Sequence, residues 1–128
     1  ACLLPATALF LREEAANGRK MIDMGVAVAI STDCNPGSSP TTSMPLVMNL
    51  ACILMGMTPA EALTAATYNA ACAINMEEKI GSLEVGKFGD IVLWNVKDYR
   101  QLQYWFGVNH VKKVWKKGEL VVNKEGKI

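Results

Sequence analysis

One carboxylate in this sequence stands where a reacting group would stand. Asp33 lies in "AISTDCNPGSSP", residues 29–40, where an apolar run from Val26 to Ile30 gives way to Ser31 and Thr32, then Asp33, then a segment of Asn, Pro, Gly and Ser. A short carboxylate at the end of a stiff strand can take a proton from a water attacking an amide-like carbon and pass it to the departing nitrogen. The same residue can also serve as a simple turn cap. The type of the residue leaves both readings open, and the elements around it must decide.

Those elements change period along the chain. "FLREEAANGRKMIDMG" mixes apolar and charged residues as a surface helix does, with Gly25 as its stop, and "VAVAIS" follows as a short strand apolar on both faces. Such strands belong to parallel sheets covered by helices, with ligand sites at their carboxyl ends. A helix is expected from about Ser43 to Met55, with Met44, Val47, Met48, Ala51 and Leu54 or Met55 on its apolar face. A second, to about Ile74, is announced by Thr58, Pro59 and Glu61, the pattern of a capping box. Alanines 62, 65, 66, 70 and 73 on it allow close approach of a neighbour. After Lys79 the residues favour β structure. A turn-rich connection leads to a strand around Asp90–Asn95, "DYRQLQYWFG" forms a helical turn, and a hairpin closes the chain with Lys117 and Gly118 at its turn. The expected division is an αβ segment over 1–78 and a β-rich appendage over 79–128.

Composition narrows the functional classes. With 128 residues, 51% hydrophobic, 20% charged and a net charge of +1, the chain suits one globular unit with no global attraction for nucleic acid or an anionic membrane. Lys112, Lys113, Lys116 and Lys117 flank a turn and read as a solvated hairpin rather than a nucleic-acid surface. "MPLVMNLACILMGM" is broken by Asn49 and is shorter than the roughly 20 residues of a membrane-spanning helix. Cys2, Cys34, Cys52 and Cys72 lie far apart without a C-x-x-C pair, the pattern of reduced, mostly buried thiols in a cytoplasmic protein.

"STDCNPGSSP", then "SMPLVMNLACILMGMTPAEALTAATYNAACAI", then "GSLEVGKFGDIVLW" together resemble the carboxyl-terminal part of a metal-dependent amidohydrolase. Within that superfamily the chain is most similar to the imidazolonepropionases. The last of these motifs is general to amidohydrolases, and "TDCNPGSSP" with "SMPLVMNLAC" is the discriminating part. The resemblance implies an α/β fold, the last αβ units of a distorted (β/α)8 barrel plus part of a small C-terminal β-sandwich. It implies hydrolysis of the cyclic C–N bond of a small-molecule substrate, 4-imidazolone-5-propanoate, with zinc or iron as the cofactor of the full-length enzyme. Asp33 matches the position that contacts both the metal and the reacting water. Asn35, Gly37 and Ser38 match positions that hold substrate. Gly37 has a local reason too, since lacking a Cβ it lets the chain turn sharply and a ligand approach the backbone. Ser38 and Ser39 stand before a helical pattern, where free N–H groups favour a carboxylate or where the serines act as caps.

The departures from the family pattern concern the metal. Its other ligands are histidines, including an H-x-H pair, and this chain has one histidine, His110, which matches no ligand position and reads as a surface or interface residue. A lone carboxylate does not retain zinc or iron, so the chain by itself is expected to be metal-free and inactive. Alternatives are a stand-alone, non-catalytic αβ assembly module and part of a different amidohydrolase such as a deaminase. A strand edge at "VAVAIS" and helix faces near Met48 and Ala66, left open by missing neighbours, predict a homo-oligomer.

Overall fold

The computed structural model describes residues 1–124, so the last four residues of the expected 79–128 appendage lie outside the described residues. The chain starts with a βαβ unit: strand β1 (Cys2–Leu3), helices α1 (Pro5–Leu11) and α2 (Gly18–Asp23), and strand β2 (Ala29–Ile30), the two strands being parallel and in register Cys2 with Ala29, Leu3 with Ile30. Val28, Ala29 and Ile30 are all buried, which accounts for the lack of polar alternation there, whereas Val26 at the start of the expected strand is 41% exposed and lies outside β2.

The single surface helix expected before β2 is two helices. α1 ends where Arg12 takes a left-handed conformation, φ 58°, and α2 restarts at Asn17, whose side chain accepts from the Lys20 N–H. The intervening "REEAAN" has the propensity to continue the helix. The break places α2 against the next helix, where Gly18 lies in close contact with Met55.

Helix α3 (Met44–Met55) matches expectation, from its Ser43 cap to a left-handed Gly56. Its buried apolar residues are Val47, Met48, Leu50, Ala51 and Met55, with Leu54 turned outward. Asn49 is buried as well, because its amide donates to the backbone carbonyl of Gln103 on α6 (Gln101–Tyr104). That bond lets a polar residue sit inside an apolar helix face.

The next helix has the expected capping box, with Thr58 and Glu61 bonded reciprocally, but it is interrupted. α4 spans Pro59–Ala66, Thr67 leaves helical geometry at φ −122° and ψ −88°, and α5 covers Tyr68–Ala73. Thr64 and Thr67 both donate their hydroxyls to carbonyls four residues back, a habit that bends helices. The bend lets Asn69 donate to the Val28 carbonyl at 2.8 Å, tying α5 to β2. Ala62 and Ala65 are fully buried, as close packing requires.

The second half contains an antiparallel sheet in the order β3 (Ile91–Trp94), β4 (Val111–Lys116), β5 (Glu119–Asn123). Lys117 and Gly118 both have positive φ, 52° and 84°, as a two-residue hairpin turn demands. The core runs through β1, β2, α3 and α4. An apolar cleft of about 720 Å³ lies between it and the sheet, walled by Met44, Met48, Ala66 and Ile74 on one side and by Ile91, Val111 and Val114 on the other.

Candidate active site

β1 and β2 run in parallel, so their carboxyl ends share one side of the molecule, and the chemistry-bearing residues gather there. Thr7, in the first turn of α1 just after β1, donates its hydroxyl to Asp33 Oδ2 at 2.9 Å. Asp33 follows β2 by three residues and is half-buried. Its backbone is left-handed, φ 48°, a conformation that Asp and Asn tolerate better than other side chains. The Asp33 N–H donates to Ser31 Oγ at 3.3 Å, and its carbonyl accepts from Asn35 Nδ2 at 2.7 Å.

The loop beyond is organised by Asn35. Its Oδ1 accepts from the backbone N–H groups of Gly37 and Ser38, both at 2.9 Å, while Nδ2 reaches the Asp33 carbonyl and Ser38 Oγ. Asn35 and Ser39 also pair through their backbones, and Ser39 Oγ donates to the Thr32 carbonyl at 2.6 Å, closing a small knot behind Asp33. The structure thus brings Asp33, Asn35 and Ser38 together, with Gly37 at the exposed tip.

Three local expectations are corrected. Gly37 has no positive φ, and a Cβ there would meet Asn35 Oδ1 at an ordinary 3.4 Å, so the turn does not itself require glycine. Neither Ser38 nor Ser39 caps a helix or stands at one, since α3 begins later with Ser43 as its cap. The cysteines are free but not mostly buried, with Cys2 and Cys34 exposed and Cys52 and Cys72 half-buried. Thr7 was missed altogether by sequence reasoning. Nothing in a hydroxyl 26 residues upstream announces its partner, and only the parallel pairing of β1 and β2 brings the two together.

His110, half-buried just before β4, has an enclosed Nε2 without a partner among the described residues, while its backbone carbonyl accepts from Asn95. Among the described residues no group of three or more His, Cys, Asp or Glu is arranged to hold a metal ion. None of the helices in the described residues is long and apolar enough to cross a membrane.

A parallel βαβ unit that presents a carboxylate and a hydrogen-bonded loop at its strand ends is the architecture of an α/β enzyme segment. The chain belongs to the amidohydrolase family, whose model matches residues 1–121. It is 66% identical over 122 residues to the imidazolonepropionase of Brevibacillus brevis, covering 95% of this chain and 29% of that protein. It is 62% identical over 128 residues to the imidazolonepropionase of a Geobacillus species, covering 100% of this chain and 30% of the relative. The chain therefore spans about three-tenths of the length of these curated relatives. In structure it is similar to an adenosine deaminase from Xanthomonas campestris with bound zinc, at a TM-score of 0.85 and 26% identity over 95% of this chain and 31% of that one.

Proposed function

We propose that these residues form the carboxyl-terminal part of an imidazolonepropionase, which opens the ring of 4-imidazolone-5-propanoate to N-formimidoyl-L-glutamate in histidine degradation. The observation that carries this reading is the 66% identity over 122 residues to a protein of that name. In this reading β1 to α5 are the last units of a distorted (β/α)8 barrel. The appendage that begins at residue 79 contributes to a small β-sandwich, with the division near residue 78. The enzyme is cytoplasmic and acts on a small molecule.

Asp33 is assigned the proton transfer. Ring opening needs a base for the attacking water and an acid for the leaving nitrogen, and one carboxylate on a fixed strand end serves both in turn. Asn35, Gly37 and Ser38 are assigned to substrate. Because both Asn35 amide hydrogens already have partners, its contact with substrate is made by exchanging the one to Ser38. Zinc or iron is assigned to the complete enzyme, where it would supply Lewis-acid activation. Asp33 is the ligand from this chain and the others come from the part of the enzyme beyond it. The 128 residues alone are then inactive and hold no metal.

The test is Asp33→Asn in the full-length polypeptide. Asparagine keeps the shape and tolerates the left-handed backbone, whereas alanine would add strain of about 1 kcal/mol or more. Expected is loss of turnover through kcat with substrate affinity largely kept; near-normal turnover removes Asp33 from the mechanism. The deaminase reading, prompted by the zinc-bound structural neighbour, predicts ammonia release instead of ring opening, which product analysis separates.

A further inference from the structure

We propose that Thr7 is the positioning residue for the Asp33 carboxylate, holding Oδ2 so that Oδ1 faces the reacting groups. The proposal rests on the role assigned to Asp33 above, and its own support is geometric.

A threonine in or just beyond a helix commonly turns its hydroxyl back to the carbonyl four residues earlier, as Thr64 within α4 does to Ala60 and Thr67 at its end does to Leu63. For Thr7 that carbonyl belongs to Leu3, which instead accepts the Ser31 N–H in the strand pairing. The Thr7 hydroxyl reaches across to the neighbouring strand end and meets Asp33 Oδ2 at 2.9 Å. Among the described residues nothing else donates to the carboxylate. The arrangement therefore fixes one oxygen and leaves the other to a reacting group. Both residues are half-buried, so water competes less for the bond than it would at an open surface.

The backbone of Asp33 is already pinned on both sides, by Ser31 Oγ at its N–H and by Asn35 Nδ2 at its carbonyl. What those two bonds leave undetermined is the side-chain rotamer, and among the described residues Thr7 supplies that restraint. A proton-transferring group must lie within a fraction of an ångström of its working position, and a misplacement of about 1 Å can cost about 100-fold in rate.

The experiment uses the full-length polypeptide with 4-imidazolone-5-propanoate as substrate. Thr7→Val removes the hydroxyl at nearly constant volume, and Thr7→Ser keeps it. Expected is a drop in kcat of about 10- to 100-fold for Thr7→Val with KM little changed, and recovery of most of it in Thr7→Ser. Crystal structures of the two variants supply a readout independent of turnover: the Asp33 carboxylate is rotated or spread over rotamers in Thr7→Val and stays in place in Thr7→Ser. Should Thr7→Val not fold, Thr7→Ala takes its place in both measurements. Wild-type kcat in the variant lacking the hydroxyl overturns the proposal, as does an unmoved Asp33 or an equal loss in Thr7→Ser. If the wild-type enzyme does not open this substrate, the functional reading fails, while the carboxylate positions still decide for or against Thr7.

Discussion

The two roles open to Asn35, proposed substrate contact and observed loop hub, make different demands on it. As a substrate contact it would matter only to affinity. As the hub joining Asp33, Gly37 and Ser38 it also sets the shape of the loop. Asn35→Ala in the full-length polypeptide is therefore expected to raise KM and also to lower stability by about 1–3 kcal/mol, the range for stranding partly buried polar partners. Steady-state kinetics and urea denaturation of the same variant check this. A raised KM with unchanged stability would make Asn35 a substrate ligand alone, and unchanged values of both would reduce it to a turn former. Asp33 and its loop were legible in the sequence because a lone carboxylate among turn formers after an apolar strand is a local pattern. Thr7 was not, because its meaning depends on a strand pairing across 26 residues.

At the scale of elements, caps were legible and breaks were not. Ser43 and the Thr58–Glu61 box announce α3 and α4 from residues adjacent in the chain. The interruptions at Arg12–Asn17 and Thr67 follow instead from what the helices must pack against, which no single window contains. The α4 start is also tied to α2, since Arg19 Nη1 donates to both carboxylate oxygens of Glu61, at 3.0 and 2.8 Å, and Arg19 Nε donates to Asp23 at 2.9 Å. Donation from Arg19, then from the Thr58 N–H, holds the Glu61 carboxyl down to about 2 from an ordinary 4.5. A carboxyl lowered on folding stabilises the folded chain above its unfolded value and ceases to do so as acid approaches the folded one. The contribution of Glu61 is accordingly present above about pH 4.5 and fades towards pH 2. Glu61→Gln is expected to cost about 1 kcal/mol at neutral pH, the scale of a helix cap with a solvent-screened ion pair. The gap to the wild type should close below pH 3 in urea titrations; a gap independent of pH would assign the effect to shape rather than charge.

For the whole molecule, the open apolar surface coincides only in part with the helix faces expected near Met48 and Ala66. Met48 is only 2% exposed, so the helix face around it is interior, and Ala66 lines the cleft towards the sheet. Exposed apolar groups flank the same cleft at Ile74, 63% exposed, and at Ile91 and Val92 on β3, and others lie beyond it: Phe10 at 53%, Ile53 at 64%, Leu93 on β3, and Leu120, Val121 and Val122 on β5. At about 25 cal/mol per Å² of apolar surface removed from water, such groups favour association strongly. The isolated 128-residue chain is expected to sediment as a dimer or larger species at micromolar concentration. Ile53→Lys with Ile74→Lys should shift it towards monomer. A compact monomer of the unaltered chain would show that these groups do not drive assembly.

Asn69 decides which kind of assembly that can be. Ala29 and Ser31 spend their N–H groups on β1, so the backbone of Val28, one residue out of step, is directed to the other flank of β2. There Asn69 already occupies the Val28 carbonyl, and further along Ser39 occupies that of Thr32. Two side chains thus stand as bookends on the flank where a foreign strand would align, shortening any zipper of main-chain bonds to the stretch between them. Templated growth of the fibrillar kind needs a long, unoccupied flank, so copies of this chain should meet through side-chain faces rather than grow by adding strand to strand at β2.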